Sequence, residues 1–159
     1  MSSSVNIHAS CVVIARAGNA FGASPDAGVL LLGESGAGKS DLALRLIAMG
    51  AVLVADDRCD LYMQTNSLIA RPPRALAGLA EIRGLGIVSL PYAQEARIAL
   101  VVRCVAREAI ARLPESLRYH PPEDLQAPRR LWPAEIAVAP FEASAPAKIL
   151  AAAARVAPV

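Results

Sequence analysis

The stretch Gly28-Val29-Leu30-Leu31-Leu32-Gly33-Glu34-Ser35-Gly36-Ala37-Gly38-Lys39-Ser40-Asp41-Leu42-Ala43-Leu44-Arg45-Leu46-Ile47 decides the fold. Gly28–Leu32 is a continuous apolar run, which predicts a strand covered on both faces. From Lys39 to Met49 the apolar residues Leu42, Ala43, Leu46 and Ile47 recur with helical period. Gly50 sits where a helix-terminating glycine belongs. Between strand and helix, Gly33, Glu34, Ser35, Gly36, Ala37, Gly38, Lys39 and Ser40 fit the pattern G-x-x-x-x-G-K-[ST]. Glycines let main-chain N–H groups face inward, and with the helix N-terminus these cradle phosphate oxygens. Lys39 neutralises charge on the terminal phosphates, and the Ser40 hydroxyl is a ligand for Mg²⁺. A plain connecting turn would have no use for Lys39 and Ser40.

Ala51–Ala55 reads as a second buried strand ending at Asp56-Asp57. Strand, glycine turn, helix and strand predict a parallel βαβ unit with a right-handed crossover. Ligands sit at the carboxyl edge of such sheets, so Asp56 and Asp57 fall where chemistry is expected. If strand alternation continues, they face opposite ways: one holds Mg²⁺ through water and the other takes a proton from a hydroxyl. Further on, Glu81-Ile82-Arg83-Gly84-Leu85-Gly86-Ile87 sets a carboxylate and a guanidinium two apart. In an extended segment the two share a face, Glu81 toward metal and Arg83 toward phosphate. A surface ion pair before a glycine turn has the same spacing.

Elsewhere the pattern predicts a strand at Cys11–Ala15, a loop at Ala17–Ala27 and a hairpin of Leu61–Met63 with Ser67–Ala70. It also predicts a strand at Ile98–Val102, a helical turn at Arg107–Arg112 and a mobile loop over Glu115–Arg130. An edge strand at Ile136–Val138 follows, then a final helix capped by Ser144 with Pro146 in its first turn. No repeat or linker interrupts residues 1–159, which read as one catalytic domain.

Composition bounds the rest. The 159 residues are 55% hydrophobic and 19% charged, a globular balance. A net charge of +2 is too small for a nucleic-acid footprint or membrane attraction. Arg103, Arg107, Arg112, Arg118, Arg129 and Arg130 gather late in the chain, either as solvated surface or as a patch for an acidic or phosphorylated partner. Three scattered cysteines, Cys11, Cys59 and Cys104, form no disulfide framework. Buried thiols, no signal peptide in Met1–Ser10 and no long apolar span predict a soluble cytoplasmic protein.

The glycine turn, Val54-Ala55-Asp56-Asp57 and Glu81–Ile87 together resemble HPr kinase/phosphorylase, and the last segment is that family's own signature. The resemblance implies an α/β P-loop core of the phosphoenolpyruvate-carboxykinase-like type, a mixed sheet with flanking helices. It implies ATP with Mg²⁺ as cofactors, or pyrophosphate and phosphate in some members. The partner it implies is an HPr-like phosphocarrier protein, phosphorylated on serine, and the assembly a homo-oligomer, hexameric in the family. Gly33–Ser40 would bind ATP; Ser40, Glu81 and Asp56 would serve the metal. Asp57 would be the base for phosphorylation and the acid for its reversal. His8, in Ile7-His8-Ala9, matches a family histidine beside the acidic pair, and Arg112-Leu113 resembles a later loop that meets substrate phosphate.

The pattern also departs from the family. Its longer members carry a separate amino-terminal domain, whereas here the catalytic motifs begin at once. Val88–Glu95 stands where the family shows a glycine-rich FGxG loop, and Ala139–Ala145 differs from the segment tied to dephosphorylation. Two other readings fit the glycine turn. One is a nucleotide-sensing regulator with little transfer activity. The other is a small-molecule kinase with Arg118–Arg130 as its lid.

Overall fold

The computed structural model describes residues 3–14, 21–22 and 26–156. The loop expected over Ala17–Ala27 lies largely outside them. The strands, in chain order, are β1 (Ser4–His8), β2 (Ser10–Val13), β3 (Ala27–Leu32), β4 (Val52–Ala55), β5 (Arg58–Gln64), β6 (Ser67–Arg71), β7 (Leu79–Ile82), β8 (Gly86–Ser89), β9 (Ala96–Cys104), β10 (Leu117–Arg118) and β11 (Ala134–Val138). Among the described residues two α-helices accompany them, α1 (Lys39–Ala48) and α2 (Ala145–Ala154).

All but β7 and β8 join one mixed sheet, with path β1-β5-β6-β9-β3-β2-β4 and β11 branching from β9. β3, β9 and β11 run parallel, and β2 runs antiparallel to both β3 and β4. β3 and β4 are therefore parallel, as the βαβ reading expects, but β2 lies between them. The alternation of buried side chains explains how a short strand can fill that gap. Cys11 and Val13 enter one core with Leu30 and Leu32, while Val12 and Ile14 enter the other with Val29 and Leu31. Both helices pack on the second face, where Leu42, Leu46, Ile149 and Leu150 are buried. The first face curls around Leu61, Leu68, Val54 and Val101.

The curl has a corner, and the corner sets the site. β1 and β2 are separated only by Ala9, and β4 and β5 only by Asp56-Asp57. β1 pairs β5, and β2 pairs β4, so two bent strands run together around one turn. There the Ala9 N–H donates to the Asp57 carbonyl at 3.1 Å.

Several expectations are corrected. β1 was not foreseen. Glu115–Arg130 is not a loose loop: β10 pairs β11, two short 3₁₀ turns follow, and Tyr119 and Leu125 are buried in the first core. Ser144 precedes α2, but its hydroxyl makes no capping bond. Arg83 lies in the turn of the β7–β8 hairpin, so strand alternation does not set it beside Glu81.

Candidate active site

The carboxyl ends of β3, β4, β9 and β11 and the amino end of β2 share one sheet edge, by their mutual directions. The glycine turn leaves that edge from β3 and runs straight into α1. Its last glycine, Gly38, holds φ +102°, a conformation open to glycine and strained for other residues. The first N–H groups of α1 have no side-chain cap, so they are available to a phosphate. Lys39 is buried, and its ammonium donates to the carbonyls of Gly33 at 2.7 Å and Glu34 at 2.8 Å. Those bonds hold the cation inside the turn that it would share with phosphate oxygens.

Asp56 is the hub. Its Oδ1 accepts from the Ser40 hydroxyl at 2.7 Å and from the Ser10 hydroxyl at 2.9 Å. Its Oδ2 accepts from the Glu81 main-chain N–H at 3.2 Å. A buried carboxylate needs such partners, because burial penalises the charge. Among the described residues the buried polar or charged side chains are Ser10, Lys39 and Asp56, and all three stand here. Ser10 escaped the sequence reading. A lone serine at the start of an apolar strand carries no signal until its partner is known.

Asp57 faces the other way, for a reason other than strand alternation. The strand has ended, and the Arg58 N–H donates to the Asp56 carbonyl at 2.7 Å, closing a tight turn over Asp57 at φ +66°. Aspartate tolerates this left-handed region better than most residues. The side chain is 67% exposed, and its Oδ1 lies 3.5 Å from His8 Nε2. β1 pairs His8 with Arg58, which puts the imidazole beside the corner.

A cavity of about 880 Å³ adjoins the turn and is lined by Gly33, Glu34, Ala37, His8 and Phe141, among others. Cys104 also borders it, and burial pushes its thiol up to about 11, so it stays protonated at neutral pH. Arg112 does not reach this cavity. It lines a neighbouring cleft with Arg107, Glu142 and Lys148. Four of the gathered arginines are engaged within the chain: Arg103 with Glu135, Arg107 with Glu142, Arg118 with the Trp132 carbonyl and Arg129 over the Trp132 ring.

The donors here suit Mg²⁺, which is usually bound by one or two carboxylates, a hydroxyl and substrate phosphates rather than an all-protein cage. Ser40 and Asp56 already touch, and Glu81 starts from the main chain bonded to Asp56. Among the described residues no three His, Cys, Asp or Glu side chains form a ready cage.

The model of the HPr Serine kinase C-terminal domain family matches residues 2–113. The chain is similar to HPr kinase/phosphorylase of Polaromonas sp. (strain JS666 / ATCC BAA-500), 39% identical over 102 residues, which are 59% of this chain and 32% of that protein. To HPr kinase/phosphorylase of Enterococcus faecalis it is 50% identical over 64 residues, 40% of this chain and 21% of that one. The match thus spans about a third of the Polaromonas protein or less. The solved structure of the Hpr(Ser) kinase/phosphatase from Coxiella burnetii superposes with TM-score 0.70 at 26% identity, covering 92% of this chain and 91% of that one. The mixed α/β architecture is therefore shared. Within the described residues, no helix is long and apolar enough to cross a membrane. With its family model matched over most of its length, the chain belongs to the HPr Serine kinase C-terminal domain family.

Proposed function

We propose that this chain is an ATP-dependent protein kinase that phosphorylates a serine of an HPr-like phosphocarrier protein. The observation that carries the reading is the Ser40–Asp56 hydrogen bond of 2.7 Å, which ties the phosphate turn to the acidic corner. Gly33–Gly38 and the α1 N-terminus hold the phosphates, and Lys39 balances their charge. Mg²⁺ supplies charge neutralisation of the phosphates when bound, and Ser40, Asp56 and Glu81 would hold it. The exposed Asp57 carboxylate accepts the serine proton, with His8 beside it. As the serine oxygen bonds to the γ-phosphorus, the bond to the bridging β–γ oxygen breaks, and ADP leaves. In reversal, an oxygen of inorganic phosphate bonds to the phosphoserine phosphorus as the bond to the serine oxygen breaks, Asp57 returns the proton to that serine oxygen, and pyrophosphate leaves. Arg112 is assigned to substrate phosphate by resemblance and Arg83 to phosphate by its charge in the turn after Glu81, and both stand on surface segments.

The reading includes a cytoplasmic location and a homo-oligomer, hexameric by the family resemblance. Leu85 and Ile87 of the β7–β8 hairpin, each 73% exposed, supply apolar surface for a partner. The test is direct. Purified protein, Mg²⁺, labelled ATP and the HPr-like carriers of the source organism are mixed. Serine label on a carrier, lost in Lys39→Ala and Asp57→Asn proteins, is expected. Tight ATP binding with every carrier unlabelled would overturn the kinase reading.

A further inference from the structure

We propose that Phe141 is a stacking platform for the base of the nucleotide whose phosphates the glycine turn holds. This rests on the phosphate-binding reading of Gly33–Ser40 and extends it to the nucleoside end.

Aromatic side chains are only 4% of this chain, and Phe141 is one of two phenylalanines. Yet the residue is 72% exposed. It is not adrift. A Cβ placed on Gly38 would meet the ring's Cζ at 2.9 Å and Cε1 at 3.1 Å, so one edge rests against the last glycine before Lys39. The surrounding loop is tied down on both sides. The Arg45 guanidinium, from α1, donates to the carbonyls of Pro140 and Glu142, the residues flanking Phe141. The Glu142 carboxylate is held by Lys148 at 2.8 Å and lies 3.3 Å from Arg107. Pro140 restricts its own backbone further.

Position agrees with role. β3, β9 and β11 are adjacent and parallel, so the loop after β11 opens on the edge from which the glycine turn leaves β3. Phe141 lines the cavity shared with Gly33, Glu34 and Ala37. Beside Phe141 its wall is Val105, Ala106 and Pro140, an apolar stretch, while His8 and Arg103 border the same cavity. Phosphates belong at the polar, N–H-rich end of such a space, and a flat base at the apolar end. A held ring with a free face stacks a base at little ordering cost, because its rotamer and backbone are already restrained.

The experiment compares a ligand with a base and one without. Calorimetric titration with Mg·ATP and with Mg·tripolyphosphate is run on the wild-type chain and on Phe141→Ala, Phe141→Trp and Lys39→Ala. Phe141→Ala should weaken ATP about tenfold or more and leave tripolyphosphate unchanged, with the same melting temperature. Phe141→Trp should keep ATP affinity. Its added indole emission, over that of Trp132, should be quenched by ATP and not by tripolyphosphate. Lys39→Ala should lose both ligands. Equal loss of both ligands in Phe141→Ala means that the ring only props the glycine turn, and an unchanged ratio with no loss means that it does nothing; either overturns the platform while leaving the phosphate site. Failure of the wild-type chain to bind either ligand overturns both readings.

Discussion

Asp56 and Asp57 are neighbours in the chain and opposites in the fold. Asp57 bears φ +66° and an exposed carboxylate, so Asp57→Asn keeps a residue that tolerates that backbone while removing the proton acceptor. Phosphoryl transfer should fall by ~10²–10⁴-fold, with melting temperature and ATP affinity unchanged, in a single-turnover labelling assay paired with a thermal melt. Asp56→Ala acts differently. It strips the acceptor from the Ser10 hydroxyl, the Ser40 hydroxyl and the Glu81 N–H. Of these Ser10 is buried, and leaving its hydroxyl unpaired costs about 1–3 kcal/mol, so urea unfolding should show a loss of that size. An Asp56→Ala protein as stable as its parent would contradict the hub. The pair was legible as chemistry from its place after an apolar strand. Which member did what was not, because the division comes from a tight turn held by Ala9, Ser10 and Arg58, two of them some 46 residues distant in sequence.

At the scale of elements, α1 was readable because its period and its glycine punctuation agree. The structure starts it at Lys39 and ends it at Ala48, with Leu42, Ala43 and Leu46 buried. Leu46→Ala should destabilise the chain by about 2–5 kcal/mol in urea unfolding, since that side chain is fully enclosed by the second core. Met49→Ala, at a half-exposed position one residue past the helix, should stay within about 0.5 kcal/mol of wild type. The hairpin of β5 and β6 was also foreseen, around Gln64–Asn66; its strands proved longer, and the turn is Thr65-Asn66 alone. β1 was not. Its alternation is present, with Val5 and Ile7 turned toward the first core, but two apolar residues near a terminus give too weak a pattern. That strand matters, because it carries His8 to Asp57.

Taken whole, the molecule keeps its thiols neutral. Burial pushes Cys59 up to about 12 and Cys104 up to about 11, from an ordinary 9.0, and raises Cys11 as well. A raised folded-state value means that the unfolded chain releases these protons first. Their contribution to stability is complete below pH 9 and is lost as pH rises toward 11 and 12. Melting temperature should therefore fall across that alkaline window, and less steeply in Cys59→Ala; a level profile through it would refute the assignment. The sequence alone determined the local units: the glycine turn, the helix behind it, the apolar strands and the identity of the acidic residues. Periodicity and glycine placement act over a few residues, so one stretch of chain suffices to declare them. The tertiary structure decided what these units meet. Only the curl of the sheet inserts β2 between β3 and β4, folds two strand pairs around one corner and brings the loop after β11 to the glycine turn. Those contacts join residues far apart in the chain, and their free energy comes from two cores that no single segment can bury by itself.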